Sequence, residues 1–340
     1  MTRTIGIDIG SHAIKLIELS VDKSVIQLLS AGSMPTPKKI STPNEKANIE
    51  ATAYVVRQLV KETGAKSNRV HIALPESQVF TRVIEVPPLS QKELLSAIQW
   101  EAEQYIPLPL DQVNMDYTVL RDAKVSGTGK MEILLIAAPK QLIERYMSIL
   151  EYAELEPTAA ETEIIASTRA LVRTVPNIKN VLLISFGAQT TDLCILRNGI
   201  IAFTRSISAG GEAMTRSLVQ SLDFNALQAE EYKKTYGLEK SILEGKLVKA
   251  MEPVMTSIAN EMKRAIAFFE EKYKTERIEV VIASGGTAKM PGLVSYITEI
   301  VGIETQLANP WIGITKEARF SVLNAEGPMF AVAVGLALRP

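Results

Sequence analysis

Apolar residues alternate with polar or glycine positions from the start of the chain: Ile5, Ile7 and Ile9 are separated by Gly6 and Asp8 and followed by Gly10. A period of two predicts a strand with one apolar face. Ala13 to Leu19 and Val25 to Leu29 are two further extended runs, so the chain is expected to open with a three-stranded meander. Helical spacing follows in Ile49, Ala53, Val56 and Val60. Before it, Thr42 can cap, Pro43 suits the first turn and Glu45 takes the capping-box position, and Gly64 supplies a stop.

From about Val70 to Glu156 the texture is that of a small α+β unit. Val70–Leu74 and Val79–Val86 read as strands, Ser90-Gln-Lys-Glu93 as a capping box, and Leu94, Ile98 and Ala102 as one helix face that ends at Pro107 and Pro109. Met131–Ala138 reads as a buried strand and Gln141–Tyr152 as a helix.

The segment Val181–Leu196 repeats the N-terminus at an offset of 177 positions: Asp8 falls on Ser185, Gly10 on Gly187, Ser11 on Ala188 and Lys15 on Asp192. In both copies an apolar strand runs into a glycine turn and then into a strand with polar residues at its start. Asn198-Gly199 suits the type I′ turn of a hairpin to a third strand. Matched meanders predict two related α/β lobes that face each other. Beyond them lie a helix bearing Ala229–Lys233, a long amphipathic helix over about Glu252–Tyr273, a buried strand Val280–Ala283, a helix with Leu293, Ile297 and Ile300, and an apolar tail, Phe330–Leu338, expected to return as a helix to the first lobe.

Composition narrows the possibilities. Thirty-seven basic residues balance 38 acidic ones, which argues against a nucleic-acid binder, whose footprint is basic. The longest apolar run, Met329–Leu338, is shorter than the ~20 residues that a helix needs to span a bilayer. No signal-peptide pattern opens the chain. Cys194 is the only cysteine, and His12 and His71 are the only histidines, so a disulfide and a cysteine- or histidine-rich metal cluster are excluded. A soluble cytoplasmic protein is expected.

The candidate chemistry lies in three glycine turns: Asp8-Ile9-Gly10-Ser11, Gly187-Ala188-Gln189-Thr190-Thr191-Asp192 and Ser284-Gly285-Gly286-Thr287. Glycine after a strand lets backbone N–H groups approach phosphate oxygens closely. Two of the turns sit at matched positions of the duplicated lobes and can clamp a polyphosphate, with the third left for the sugar or base. Asp8 can orient Mg²⁺ through water, Ser11, Thr190 and Thr191 can donate to phosphates, Lys15 can neutralise charge, and His12 occupies a phosphate-loop position.

This constellation resembles the actin-like ATPase superfamily, with FtsA, MreB, the heat-shock chaperones and sugar kinases. Asp8–Lys15 looks like its phosphate-1 motif, Gly187–Asp192 like phosphate-2 and Ser284–Ala288 like the adenosine motif. Glu230 and Lys233 resemble a ribose- and adenine-contacting pair, Gly210-Gly211-Glu212 a segment near the nucleoside, and Lys263 and Arg264 an adenine-flanking basic pair. Within the superfamily, Ile5–Glu18, Trp100–Leu110 and Ala331–Arg339 resemble the PilM family of type IV pilus assembly, over essentially the whole chain.

The resemblance implies a two-lobed actin-like fold of duplicated ribonuclease-H-like lobes with an inserted α+β domain of SHS2 type. The implied parts are 1–69 and 157–176 in the first lobe, 70–156 as the insert, 177–322 in the second lobe and 323–340 as the returning helix. It implies ATP or ADP with Mg²⁺ as ligand, and a partner in the N-terminal cytoplasmic tail of a PilN-like membrane protein, bound somewhere within 70–156 and the adjoining first lobe. Membrane association would then come only through partners. Pilus motor ATPases, the platform protein and a second copy of the chain are further candidate contacts. Relatives commonly carry an acidic residue where this chain has Ser185, so nucleotide binding with slow or negligible hydrolysis is expected. Glu161 or Glu163 is the candidate for positioning a water. The alternatives are an FtsA-like polymerising division protein, disfavoured because the chain stops directly after its expected last core helix, and a small-molecule kinase, for which no clear general base is visible.

Overall fold

The computed structural model describes residues 2–22, 25–37 and 45–340. In chain order, β1 (Thr2–Ile9), β2 (Ala13–Asp22) and β3 (Val25–Pro35) form an antiparallel meander, followed by the helix Glu45–Thr63 and β4 (Arg69–Leu74). The proposed cap at Thr42-Pro43 lies outside the described residues. Next come β5 (Phe80–Val86), the helix Gln91–Tyr105, β6 (Val113–Arg121), β7 (Met131–Pro139) and the helix Lys140–Tyr152. β8 (Glu156–Thr162) runs into the helix Glu163–Leu171. The second lobe holds β9 (Asn180–Phe186), β10 (Thr191–Arg197), β11 (Ile200–Ile207), the helices Gly211–Leu222, Ala226–Tyr236 and Lys246–Lys272, β12 (Val280–Ser284), the helix Leu293–Val301 and β13 (Thr305–Leu307). The helix Ala331–Ala337 closes the described chain.

Two five-stranded sheets have the same topology, β3-β2-β1-β4-β8 and β11-β10-β9-β12-β13. In each, a meander is followed by two strands added in parallel. The duplication read from the sequence is therefore a duplication of the fold, and the architecture is a mixed α/β, two-lobed one. The Asn198-Gly199 pair has positive φ at both residues, 51° and 74°, as a type I′ turn requires.

The third sheet, β5-β7-β6, is smaller than the 70–156 stretch. β4 pairs with β1, and the helix Lys140–Tyr152 packs Leu142, Tyr146 and Ile149 into the first lobe's core beside Val56 and Leu59. The run Val70–Leu74 has the same apolar texture in either sheet, so only the pairing reveals its owner. The Ser90 capping box is present, with Ser90 N donating to Glu93 Oε2 at 2.9 Å. Its helix lays Leu94, Ile98 and Ala102 on the small sheet.

The lobes share a core around the last helix. Ala333, Val334 and Ala337 pack with Ile17 and Leu19 of the first sheet and with Val181, Leu183 and Cys194 of the second. The approach is backbone to backbone. A Cβ on Gly335 would sit 1.7 Å from the Ala166 carbonyl oxygen, and one on Gly6 would sit 2.2 Å from that of Ala333. Arg169 Nη1 donates to the Gly335 carbonyl at 2.7 Å and forms a bidentate pair with Glu161, which Arg339 also contacts at 2.9 Å.

The small sheet is tied to the second lobe through a buried charge. Arg121 Nη1 donates to Glu132 Oε2 at 2.5 Å, Tyr273 Oη donates to Glu132 Oε1 at 3.0 Å, and Arg121 Nη2 reaches the Arg197 carbonyl. Arg197 lies 4.3 Å over the Tyr273 ring and pairs with Glu276.

Gly335→Ala is expected to destabilise the fold by about 3 kcal/mol, because neither backbone can yield without moving a core helix. Gly286→Ala, where an added Cβ meets nothing within 4 Å, is expected to stay within about 0.5 kcal/mol. Urea denaturation of both variants checks the pair. Glu132→Ala leaves Arg121 buried without its carboxylate and is expected to cost about 3 kcal/mol or more in the same measurement.

Candidate functional site

The fold brings the tips of the β1–β2 and β9–β10 hairpins onto one cavity of about 510 Å³. This volume falls within the ~300–1,000 Å³ of small-molecule sites. The first tip contributes Gly10, Ser11 and His12, the second Gly187, Ala188 and Thr190. Each tip is braced from outside. Thr36 Oγ1 donates to the Gly10 carbonyl at 2.6 Å, and Thr36 N donates to the His12 carbonyl at 3.0 Å. Thr287 Oγ1 and Gly211 N donate to the Gly187 carbonyl at 3.1 and 3.0 Å, and Glu212 N donates to the Ala188 carbonyl at 2.8 Å. The Gly285 φ of 88°, with a Cβ position only 2.3 Å from the Phe186 carbonyl oxygen, makes glycine obligatory where the third turn crosses the second hairpin.

Equivalent cross-strand pairs face the cavity in the two lobes. Asp8 opposes Lys15, with Lys15 Nζ 2.8 Å from Asp8 Oδ2. Ser185 opposes Asp192. All four line the cavity. Asp192 accepts from Ser206 Oγ at 2.5 Å and Thr190 Oγ1 at 3.3 Å. Burial pushes its carboxyl up to about 6 against those two hydrogen bonds. Glu163, first residue of its helix, also lines the cavity, and its Oε2 accepts from Glu76 N at 3.1 Å. Desolvation raises Glu163, reinforced by the charges of Asp8 and Asp192.

The other end of the cavity is built from Gly211, Glu212, Glu230, Lys233, Lys234, the Gly285–Thr287 turn, Lys289, Met290, Glu326 and Met329. Lys233 Nζ donates to the Gly211 carbonyl at 2.9 Å, to Thr215 Oγ1 at 2.9 Å and to Glu230 Oε2 at 2.6 Å. An ammonium has three N–H bonds, so Lys233 spends them holding the wall and orienting Glu230. Burial would raise the Glu230 carboxyl, but hydrogen bonds from Lys233 and Thr215 outweigh it and bring it to about 2.

Several residues singled out in the sequence lie elsewhere. Glu161 is buried in its ion pairs with Arg169 and Arg339, because β8 carries it beneath the last helix while Glu163 starts a new helix at the cavity. Thr191 is fully buried and donates to the Ala209 carbonyl at 2.7 Å. Gln189 is exposed at its hairpin tip, and Gly210 is packed against the Gly187 carbonyl. Lys263 and Arg264 are exposed on the long helix away from the cavity wall, with Arg264 paired to Glu261. Residues that the sequence reading missed include Lys289 and Glu326, an ion pair at the cavity edge. Lys289 directly follows the third glycine turn and was findable there. Glu326 arrives with the returning chain and carries no local signal.

A model of the family described as type IV pilus assembly protein PilM matches residues 6–340. The chain belongs to the PilM family. In the solved PilM-PilN type IV pilus biogenesis complex, a chain of 30% sequence identity superposes with a TM-score of 0.87, covering 99% of this chain and 98% of that one. MreB 5 of Spiroplasma citri bound to AMPPNP shares the fold, with a TM-score of 0.55 at 12% identity over 98% of this chain and 95% of its own. The cell division protein FtsA of Enterococcus hirae is 22% identical over 349 residues, 90% of this chain and 78% of its own length. The PilM-family chain thus shares its fold with MreB 5 and resembles FtsA in sequence. Among the described residues, no helix is long and apolar enough to cross a membrane.

A depressed carboxylate stabilises the fold above its unfolded value, here 4.5, and the contribution is lost as pH falls through the folded value near 2. Glu230→Gln is therefore expected to remove about 1 kcal/mol at neutral pH, a figure discounted for solvent screening, and nothing below pH 2. Urea denaturation of both proteins at pH 7 and in strong acid checks this.

Proposed function

We propose that this protein is the actin-like component of the type IV pilus inner-membrane platform, with a nucleotide held in the cleft between its lobes. The observation that carries the reading is the pair of braced hairpin tips on one cavity, in a chain whose family model spans residues 6–340. ATP or ADP fits the donor set. Backbone groups of Gly10–His12 and Gly187–Thr190 suit the phosphates, and Glu230, Gly285–Thr287 and the Met290 and Met329 side chains suit the nucleoside. MreB 5, with the same fold, was solved with AMPPNP.

Mg²⁺ fits only as part of a metal–nucleotide complex. Among the described residues there is no group of three or more His, Cys, Asp or Glu able to hold a metal ion, and Asp8 already pairs with Lys15. Asp8 would hold the metal's water, which is how Mg²⁺ is usually bound beside phosphates. Bound there, the metal would supply charge neutralisation at the phosphates. The chain's own part is to orient: the two tips fix the phosphates, Lys15 fixes Asp8, and Glu163 faces the place where a water would be held. Ser185 leaves a hydroxyl where relatives carry a carboxylate, which supports slow hydrolysis.

The partner in this reading is the cytoplasmic N-terminal tail of a PilN-like membrane protein, bound by the small-sheet domain and the adjoining first lobe, which would bring the protein to the inner membrane. The PilM-PilN complex, matched at 30% identity over 99% of this chain, supports it. The FtsA-like alternative rests on relatives of 21–23% identity.

Titration of the purified protein with a labelled peptide copying the first ~10 residues of the PilN-like protein, extended at ~3.3 Å per residue, tests the partner. Saturable binding that a scrambled peptide loses is expected, with an affinity that changes when Mg·ATP is added. No binding by folded protein in either condition would remove the partner assignment. Ser185→Asp restores a carboxylate opposite Asp8's lobe and is expected to raise the hydrolysis rate at least tenfold, equivalent to about 1.4 kcal/mol of barrier. Phosphate release under single-turnover conditions reads it.

A further inference from the structure

Glu76 is a buried carboxyl that the proposed function leaves unused. It opens a short helical turn, Glu76–Gln78, at the meeting point of four elements. β4 of the first lobe ends before it, and β5 of the small sheet begins after it. β11 of the second lobe is bound just beyond it, where Thr204 Oγ1 donates to the Thr81 carbonyl at 3.0 Å. The helix that begins at Glu163 is bound to it directly, through Glu76 N and Glu163 Oε2 at 3.1 Å.

Glu76 is 5% exposed. Three buried oxygens here have no hydrogen-bond partner among the described residues: Glu76 Oε2, Thr81 Oγ1 and Thr162 Oγ1. Both threonine hydroxyls lie close enough to favour the ionised carboxyl, though neither makes a full hydrogen bond. A protonated Glu76 has an O–H to offer either hydroxyl, whereas the ionised form can only accept. Burying a carboxyl whose hydrogen bonding is incomplete is costly.

We propose that Glu76 is a positioning residue for the cavity, setting through its backbone N–H and its buried carboxyl both the placement and the charge environment of Glu163. The inference rests on the nucleotide reading of the cleft. The carboxyl sits beside Thr81, Thr162 and the Ile164 backbone at the helix start, and the turn's N–H holds Glu163 toward the cavity. Its charge is the second lever. Burial, the largest influence, raises the Glu76 carboxyl to about 7, with the Asp192 charge adding to it and Thr81 and Thr162 opposing. The groups facing this cluster from the packed elements are Asp192 and Cys194 on β10, Glu163 on its helix, and Asp8 with Lys15 on β1 and β2. Tyr146 faces Glu163 and Asp8 from the helix Lys140–Tyr152. Ionisation of Glu76 adds a negative charge behind an acidic cavity floor, so it opposes a polyphosphate and disfavours ionised Glu163.

The test uses the full chain and a fluorescent ATP analogue with Mg²⁺, titrated from pH 6 to pH 8.5. Wild-type affinity is expected to fall about threefold to tenfold as pH rises through 7, the scale of one added charge at partly screened range. Glu76→Gln, neutral at every pH and similar in shape, is expected to remove that component of the profile while binding as tightly as wild type at pH 6. His12, Asp192 and Glu163 are present in both proteins, so the difference between the two profiles reports Glu76, directly and through its effect on Glu163. Glu76→Ala is expected to bind several-fold more weakly at all pH values, with Gln restoring what Ala loses. If wild type binds and the Gln and wild-type profiles coincide, the proposal fails while the nucleotide reading stands. If folded wild type binds no nucleotide at any pH, the nucleotide reading fails and takes this inference with it. Should the Ala variant fail to fold, the Gln comparison alone decides.

Discussion

The close approach of the last helix to its neighbours governs everything the cleft does. At Gly335 and Gly6 the backbones of the helix Ala331–Ala337, the helix Glu163–Leu171 and β1 lie too near one another for any side chain. The same three elements carry the cavity's key groups: Glu163 opens one helix, Asp8 is the next-to-last residue of β1, and Ala331 and Val332 line the cavity from the last helix. A protein core behaves as a close-packed solid. Seating this helix therefore fixes where the backbones of Glu163 and Asp8 lie, and the Glu76 N–H and Lys15 then hold their carboxylates. Because the helix also packs on Val181, Leu183 and Cys194, it registers the second lobe against the first, and so registers one hairpin tip against the other.

That scaffold holds an uneven charge distribution. The tips present backbone groups and glycines, while the floor beneath them carries Asp8, Asp192 and Glu163 against the single lysine Lys15. Asp192 is satisfied by two hydroxyls and Glu163 by a backbone N–H, and neither kind of donor cancels a charge. A bare polyanion would meet repulsion from such a floor. An anion that brings its own cation would meet less of it, since a divalent ion over the floor offsets part of that charge locally. The acidic floor thus suits the metal–nucleotide complex of the proposed function better than a free phosphate.

How much of this was legible in the sequence follows from where each signal lives. The hairpin tips were readable because a strand, a glycine turn and a polar-started strand are contiguous, and because Ser185 and Asp192 repeat the places of Asp8 and Lys15. β8 was not readable. Glu156-Pro-Thr-Ala-Ala-Glu-Thr162 has neither alternation nor an apolar run, and it is a strand only because β4 offers it a parallel edge. Losing β8 also lost the distinction between Glu161 and Glu163, two residues apart yet on opposite sides of the helix start. The insert's edges were blurred for a related reason: β4 and the helix Lys140–Tyr152 have ordinary amphipathic patterns that do not say which core they complete. Lys263 and Arg264 were placed by analogy of residue type, but the phase of a helix 27 residues long decides which face meets the cleft. Glu76 had no sequence signal at all, because its meaning comes from four elements meeting around it.

The small-sheet domain is attached to the lobes in two unlike ways. It is continuous in chain with the first lobe through the Glu76 turn and through β7, which leads directly into the helix Lys140–Tyr152. To the second lobe it is held by Glu132, which accepts from both Arg121 and Tyr273, and by Lys272, 2.7 Å from Glu85. Arg121 and Glu132 both belong to the small sheet, so separation would take from Glu132 its hydrogen bond from Tyr273 and from Arg121 its hydrogen bond to the Arg197 carbonyl, leaving buried charged groups under-satisfied. A rotation of one lobe against the other therefore cannot leave the small sheet behind: either the Glu132 joint breaks at high cost, or the sheet follows the second lobe and strains its chain connections at the Glu76 turn. The second course is the cheaper one, because a three-residue turn yields more readily than the Tyr273–Glu132 and Arg121–Arg197 hydrogen bonds and the Lys272–Glu85 pair that join sheet and lobe. It also puts the strain on the residue whose N–H holds Glu163, so the geometry of the cleft and the placement of the small sheet are mechanically one problem.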